Sequence, residues 1–176
     1  MAMQQTIQQM YPPEDRWYVL YVRSRTEKKV ILRMERFGFH AYLPLIKVMR
    51  QWSDRKKQVE VPLFNGYMFV KTNPQQFADI RMVEGVVNFV KSEGKNAIIS
   101  TEQIEAIKSF IDTGIPVTGA VDTFEPGEKV KITFGALSGF EGELVEVRND
   151  KHFILRVEAI NQVLIIDLPS SYIEKI

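Results

Sequence analysis

"FEPGEKVKITFGALSGFEGELVEV", Phe124 to Val147, decides how the last third of the chain is read. Outside its glycines the stretch alternates apolar and polar residues, the period of a half-buried strand. Gly135, Gly139 and Gly142 interrupt that alternation. A strand loses stability to glycine unless the backbone must turn, kink or pass close to a neighbour, so these positions predict the corner of a small sheet that bends sharply. The flanking segments agree. "KVKIT", "GELVEVR", "HFILRVEAI" and "VLIIDLP" are short, β-branched and separated by turn residues, which predicts a small antiparallel barrel over 124–176. The β-branched content of "VKIT" and "VLIID" predicts that this segment rests as strand rather than helix.

Toward the N-terminus the periodicity changes. "WYVLYV" (Trp17–Val22) has strand composition. In "RTEKKVILRMERFG" Val30, Met34 and Phe37 fall on one helical stripe, Thr26 stands at the cap position and Gly38 at the stop. "AYLPLIKVM" and "QVEVPLF" read as extended runs on either side of the polar, basic "RQWSDRKKQ", and "GYMFVKT" continues the second run. Asn73 and Pro74 open a second helix that buries Phe77 and Ile80 and ends by Gly85. "VVNFVK" is strand again, and a third helix starts at Ser100 with Gln103 in capping-box spacing, buries Ile104, Ile107 and Ile111 and closes at Gly114. The order β-α-β-β-α-β plus a trailing helix is the split-βαβ pattern, so the fold class is α+β with an antiparallel N-terminal sheet before an all-β, SH3-like barrel. The expected organisation is a tail over 1–15, a first domain over 16–113, a linker over 114–123 rich in Gly, and the barrel over 124–176.

The chain has 176 residues, enough for two small cores, with 45% hydrophobic and 26% charged residues. No apolar run approaches a membrane span, and no secretory pattern opens the sequence, which makes the cytoplasm the expected location. With no Cys there is no disulfide frame, thiol nucleophile or thiolate metal site. The two histidines, His40 and His152, stand far apart beside aromatic residues, and no phosphate-cradling loop, H-E-x-x-H pair or nucleophile elbow is present. Binding is therefore expected, not catalysis, and no metal or cofactor. Net charge is +1, but residues 1–115 carry 17 basic against 12 acidic side chains and residues 116–176 carry 6 against 10. Within Arg16–Lys57 the excess is 12 against 3, a local field that suits a polyanion.

The Pro-Gly turn, strand, Gly-rich loop with Phe140 and following strand of the opening stretch resemble a KOW motif. Together with "RWYVLYV", "VPLFNGYMFV" and "EGVVNFV", in that order, they make the chain similar to the NusG family of transcription factors, in which an N-terminal domain precedes a KOW barrel. Within it, "WYVLYV" and "PLF.GY.FV" look closest to the specialised RfaH and UpxY-like antiterminators. One position departs: Asn65-Gly66 stands where the family usually has Pro-Gly, and Asn-Gly suits a tight turn with positive φ.

The resemblance implies that the N-terminal domain grips the clamp helices of the largest RNA polymerase subunit through an aromatic depression, at positions matching Tyr21, Tyr67 and Phe69, with Phe64 and Phe89 nearby. Aromatic side chains suit such a role because they offer a large contact area with few rotors. Alternation also allows Phe69 and Phe89 to point into the domain's own core. Arg23, Arg25, Lys28 and Lys29 lie where the paralogs touch the non-template DNA strand. Lys47, Arg50, Arg55, Lys56 and Lys57, with Trp52 among them, combine cations for phosphates with an aromatic plane for a base, and equally suit a hairpin tip kept soluble by charge. In the barrel, Gly135, Gly139, Phe140 and Gly142 form the motif's turn. Its acidic balance favours a protein partner, which the resemblance gives as a small-subunit ribosomal protein or the terminator Rho. The implied protein is a monomer that bridges the polymerase cleft and suppresses pausing or termination. The rival is a ribosome-associated or RNA-binding KOW protein.

Overall fold

The computed structural model describes residues 13–147 and 150–176. They form two compact units, one running to Leu43 and resuming over Phe64–Thr101, the other made of Pro44–Leu63 and Glu102–Ile176. The expected tail lies almost wholly outside the described residues, apart from its last three positions. Along the chain, the first unit supplies β1 (Arg16–Val22), α1 (Glu27–Arg36) and β2 (His40–Tyr42). The second unit then takes β3 (Leu45–Gln51) and β4 (Lys56–Pro62). The first resumes with β5 (Tyr67–Thr72), α2 (Phe77–Met82), β6 (Val86–Phe89), the short β7 (Lys91–Ser92) and β8 (Lys95–Asn96), and β9 (Ile98–Ile99). Then come α3 (Thr101–Asp112), β10 (Val117–Val121), β11 (Glu128–Ile132), β12 (Glu141–Val147), β13 (Asp150–Val157), β14 (Gln162–Ile166) and β15 (Ile173–Lys175).

The first unit is the expected α+β sheet. Its strand order is β2-β5-β1-β6, with β9 also on β1, and every pairing is antiparallel. Alternation along β1 puts Tyr18, Leu20 and Val22 on one face and Trp17, Val19 and Tyr21 on the other. The first face meets the helices: the Tyr18 ring packs edge-on against Phe77 at 5.0 Å, and Val30, Met34, Phe77 and Ile80 are buried. Helix α1 stops one residue short of Phe37, which caps it and stands 68% exposed, so the third member of the predicted stripe is not core. Thr26 occupies the N-cap position, but its hydroxyl donates back to the Arg23 carbonyl at 2.7 Å. At the second helical segment the predicted cap forms: the Asn73 side chain accepts from Gln75 N–H ahead of a single 3₁₀ turn starting at Pro74.

Two expectations need correction. "AYLPLIKVM" is not one strand: β2 joins the main sheet, whereas β3 pairs only with β4 in a two-stranded ribbon. The break falls at Pro44, which has no N–H for a continuing ladder. The segment 114–123 is not a free linker, because Val117–Val121 pairs residue by residue with Ile166–Gln162 of β14. β-Branched and small residues between the turn formers were enough for an added strand once β14 offered an edge.

The C-terminal strands form a six-stranded antiparallel sheet in the order β10-β14-β13-β12-β11-β15. Its core holds Val130, Ile132, Leu137, Phe153, Ile154, Val157, Val163, Leu164 and Ile166. The glycines of the opening stretch serve two needs. Gly135 and Gly139 have φ of +73° and +98° with open space where a side chain would be, so they are conformational. At Gly142 a Cβ would lie 2.4 Å from the Phe153 ring and 2.5 Å from the Ile154 carbonyl, so β13 crosses there closer than any side chain permits. Helix α3 belongs to this unit: Phe110 packs on Phe140 at 5.5 Å and on Phe153 at 5.7 Å. Phe110, rather than Ile111, completes the buried stripe with Ile104 and Ile107. No helix among the described residues is long and apolar enough to cross a membrane.

Candidate functional site

Antiparallel register places Tyr21 directly across from Tyr67, at the end of the β1–β5 pair. The two rings meet edge to face with centroids 5.6 Å apart, and Tyr21 is 43% exposed. Tyr67 is half-buried. What holds them is the turn Phe64–Tyr67, closed by Tyr67 N–H donating to the Phe64 carbonyl at 3.2 Å. Gly66 has φ +80°, and a Cβ there would stand 3.2 Å from the edge of the Tyr21 ring. The Asn-Gly pair thus performs the bend expected of it.

The rigidity of that bend has a source elsewhere in the chain. Glu27, in the first turn of α1, is only 4% exposed, and its carboxylate accepts the Gly66 N–H at 3.0 Å. The Gly66 carbonyl in turn accepts Val22 N–H at 2.8 Å. A buried carboxylate needs such a donor, and a buried N–H needs such an acceptor, so the turn is fixed from both sides.

The other three rings assigned to this surface sit differently. Phe69, opposite Val19, shares the strand face of Tyr21 and Tyr67 but is fully buried, stacked against Tyr42 at 6.3 Å. Phe64 is 1% exposed. Phe89 pairs with Leu20 on the helix-covered face and packs against Phe77 at 4.7 Å and Tyr18 at 6.0 Å. It is a core ring, because its strand position directs it toward α2. The exposed aromatic feature of the first unit at this point is the tyrosine pair.

Next to that pair the chain turns sharply. Arg23 N–H donates to the Gly85 carbonyl at 2.9 Å, Thr26 N–H donates to the Arg23 carbonyl, and Arg25 takes φ +68°, uncommon outside glycine. Arg23, Arg25, Lys28 and Lys29 are all exposed around this turn and the first turn of α1. Two lysines at a helix N-terminus oppose the helix dipole, so fold stability alone does not call for them.

The second basic set lies on the β3–β4 ribbon, in the other unit. The ribbon is tied at its tip by Trp52 N–H donating to the Arg55 carbonyl at 2.8 Å. Lys47, Arg50, Arg55, Lys56 and Lys57 are exposed, and Trp52 is 53% exposed. Register sets Arg50 directly opposite Lys57. Like charges facing each other across a two-stranded ribbon weaken it, and among the described residues the tip offers only one loose ion pair, Arg55–Asp54 at 3.9 Å. The arrangement costs stability and leaves cations unneutralised beside an exposed indole, the combination a nucleic-acid strand would recruit.

The C-terminal unit contains a polar centre that sequence reasoning missed. Arg156 on β13 reaches Asp122 through Nη1, binds both oxygens of Glu143 at 2.9 and 3.1 Å, and donates to the carbonyls of Phe124 and Glu125. The Gly127 N–H adds a bond to Glu143 at 2.7 Å. Arg156 holds the Glu143 carboxyl below its ordinary value, and both carboxylates hold the guanidinium above its own. The signal available in sequence was a single cation inside "FILRVEAI". Of the KOW-turn residues, Gly135, Gly139 and Gly142 shape the loop, and Phe140 is half-buried against Phe110.

A family model described as "Transcription termination factor nusG" matches residues 15–108. The chain belongs to the NusG family. Among its relatives, "Transcription termination/antitermination protein NusG" of Chlamydia trachomatis is 29% identical over 147 residues, covering 77% of this chain and 80% of the relative. The protein of the same name from Escherichia coli K12 is 25% identical over 176 residues, with coverage of 93% and 97%. The solved structure "Domain interaction in Thermotoga maritima NusG" aligns with a TM-score of 0.54 at 23% identity, covering 93% of this chain and 98% of that one, and shows the same fold. The α+β reading and the family resemblance both hold.

Proposed function

We propose that this NusG-family chain is a transcription elongation and antitermination factor that docks on RNA polymerase through its first unit and recruits a second protein through its C-terminal sheet. The observation that carries the docking step is the exposed Tyr21–Tyr67 pair, set on a turn that a buried glutamate immobilises. Rings held in one geometry before binding lose little entropy when a helical hairpin, such as the polymerase clamp helices, packs on them. The names of the relatives, which include both termination and antitermination, support the same reading. On it, Arg23, Arg25, Lys28 and Lys29 contact the displaced non-template strand, and the ribbon tip with Trp52 supplies a second nucleic-acid contact. The mechanism is bridging: one molecule held on polymerase and on the displaced strand disfavours clamp opening and thereby pausing.

Replacing both Tyr21 and Tyr67 with Ala is expected to abolish co-purification with RNA polymerase while circular dichroism and the thermal midpoint stay close to those of the parent. Undiminished polymerase binding by that folded variant would remove the docking surface. Charge reversal at Arg23 and Arg25 should leave polymerase binding in place and lower crosslinking to the displaced strand several-fold at low salt. Equal crosslinking would place the strand elsewhere.

A further inference from the structure

The C-terminal unit exposes a second ring pair that neither its core nor the family's motif accounts for. Phe134, just beyond β11, is 60% exposed, and its ring lies 4.7 Å from that of Tyr172, tilted by 42°. Tyr172 closes a 3₁₀ turn over Ser170–Tyr172 that Pro169 introduces, and its N–H donates to the Pro169 carbonyl at 2.9 Å. The two segments are stitched together: the Tyr172 carbonyl accepts both the N–H and the hydroxyl of Thr133, at 2.8 and 3.3 Å. Directly inward, Ile132 pairs with Ile173. The rings therefore stand on a fixed base.

The surroundings narrow what they hold. An added strand needs a run of free backbone donors and acceptors beside the rings, but there Thr133 and Tyr172 already bond each other, β11 carries β12 and β15 on its two sides, and the free outer edge of β15 is only three residues long. A docked helix needs anchors spread over several turns, more than a pair of rings spaced by 4.7 Å offers. Nucleic-acid bases stack on rings, but residues 116–176 carry 6 basic against 10 acidic side chains, and the strand positions flanking Lys131 are Glu141 and Glu174, both exposed. A polyproline II segment meets each condition. It has no internal hydrogen bonds to compete for, presents pyrrolidine faces every turn of three residues, is already ordered when free, and exposes carbonyls to a tyrosine hydroxyl.

We propose that the Phe134–Tyr172 pair is the docking point for a proline-rich segment of a partner protein, flanked by basic residues that Glu141 and Glu174 attract. This deepens the reading of the C-terminal sheet as the recruiting module and rests on it. The partner is recognised by prolines packed on the two rings and by an arginine or lysine next to them.

The test uses the full chain and a fluorescein-labelled peptide of ten prolines with an arginine at each end. A Gly-Ser peptide of equal length and charge, and a labelled single-stranded oligonucleotide, serve as competitors. Saturable anisotropy with the proline peptide, absent with the Gly-Ser peptide, is expected. Phe134→Ala and Tyr172→Ala should each weaken it by about tenfold or more, the loss typical of an exposed aromatic anchor. Because Phe134 lies outside the core, its variant keeps the parent's circular dichroism and thermal midpoint, and both variants keep polymerase binding. The proposal is overturned if no saturable proline binding occurs up to millimolar peptide, if Phe134→Ala binds as the parent does, or if the oligonucleotide displaces the peptide from the rings. Such a failure with intact polymerase binding removes this site alone, whereas loss of polymerase binding in the Tyr21/Tyr67 variant tests the wider reading.

Discussion

The two units fasten their working loops with opposite chemistry. In the first, a single buried carboxylate, Glu27, reaches one backbone N–H and fixes one turn. In the second, a single guanidinium, Arg156, gathers two carboxylates and two backbone carbonyls from two separate segments. The first device leaves the sheet's stability to its large rings and sets only the geometry of Gly66 and the tyrosines beside it. The second ties the 122–127 segment to β12 and β13, which already pair with each other, and it does so beside Phe124, itself packed on Val145, Ile154 and Val163. A fork of five donors suits many acceptors, whereas a carboxylate can only receive.

That contrast is easiest to break at Arg156. Alanine there should destabilise the C-terminal unit by about 2–3 kcal/mol in denaturant unfolding, since Asp122 and Glu143, with 15% and 21% of their side-chain surface exposed, lose their common counter-charge. The first unit's transition should not move. If both units lost stability equally, the network would not be local to the second.

The same network sets an acid limit. The Glu143 carboxyl is held below its ordinary value of 4.5 by the Arg156 hydrogen bonds, so its contribution is complete above that value and drains away as pH falls through the lower folded value. Unfolding midpoints followed below pH 5 should show this loss in the C-terminal unit, and Glu143→Gln should flatten it while lowering stability at neutral pH.

Glu27→Ala is expected to have a smaller effect, about 1–2 kcal/mol, as one buried N–H goes unanswered. Amide exchange at Gly66 should accelerate, and polymerase binding should weaken more than stability does. A variant that loses stability but keeps full binding would separate the turn's rigidity from its function. The smallest change is Arg50→Glu, which replaces a like pair with an opposite one across from Lys57. It should stabilise the ribbon by a few tenths of a kcal/mol while reducing nucleic-acid crosslinking at Trp52.

Where sequence and structure agree and part can be followed residue by residue. The α1 stripe gave Val30 and Met34 as core, since period alone sorts residues into faces, whereas the resemblance named Tyr21 and Tyr67 separately and only the β1–β5 register set them opposite each other. Period does not say which face is covered. Phe89 and Asn88 are neighbours on β6, yet the ring lies among Tyr18 and Phe77 and the amide is exposed, because α2 packs on one side only. Likewise nothing local in "EQIEAIKSFID" announces that Phe110 will pack on Phe140 and Phe153, or that Val117–Val121 will extend a sheet through β14.

By itself the sequence determined the α+β order of elements, the turn glycines, the charge asymmetry and the family, because propensity, period and motif spacing act within a few residues of one another. Only tertiary structure decided which rings stay at the surface, what braces Gly66 and where Arg156 finds its acids. Those are contacts between residues far apart in the chain, as from Glu27 to Gly66 or from Tyr18 to Phe89, and they exist only once the sheets have brought distant segments together.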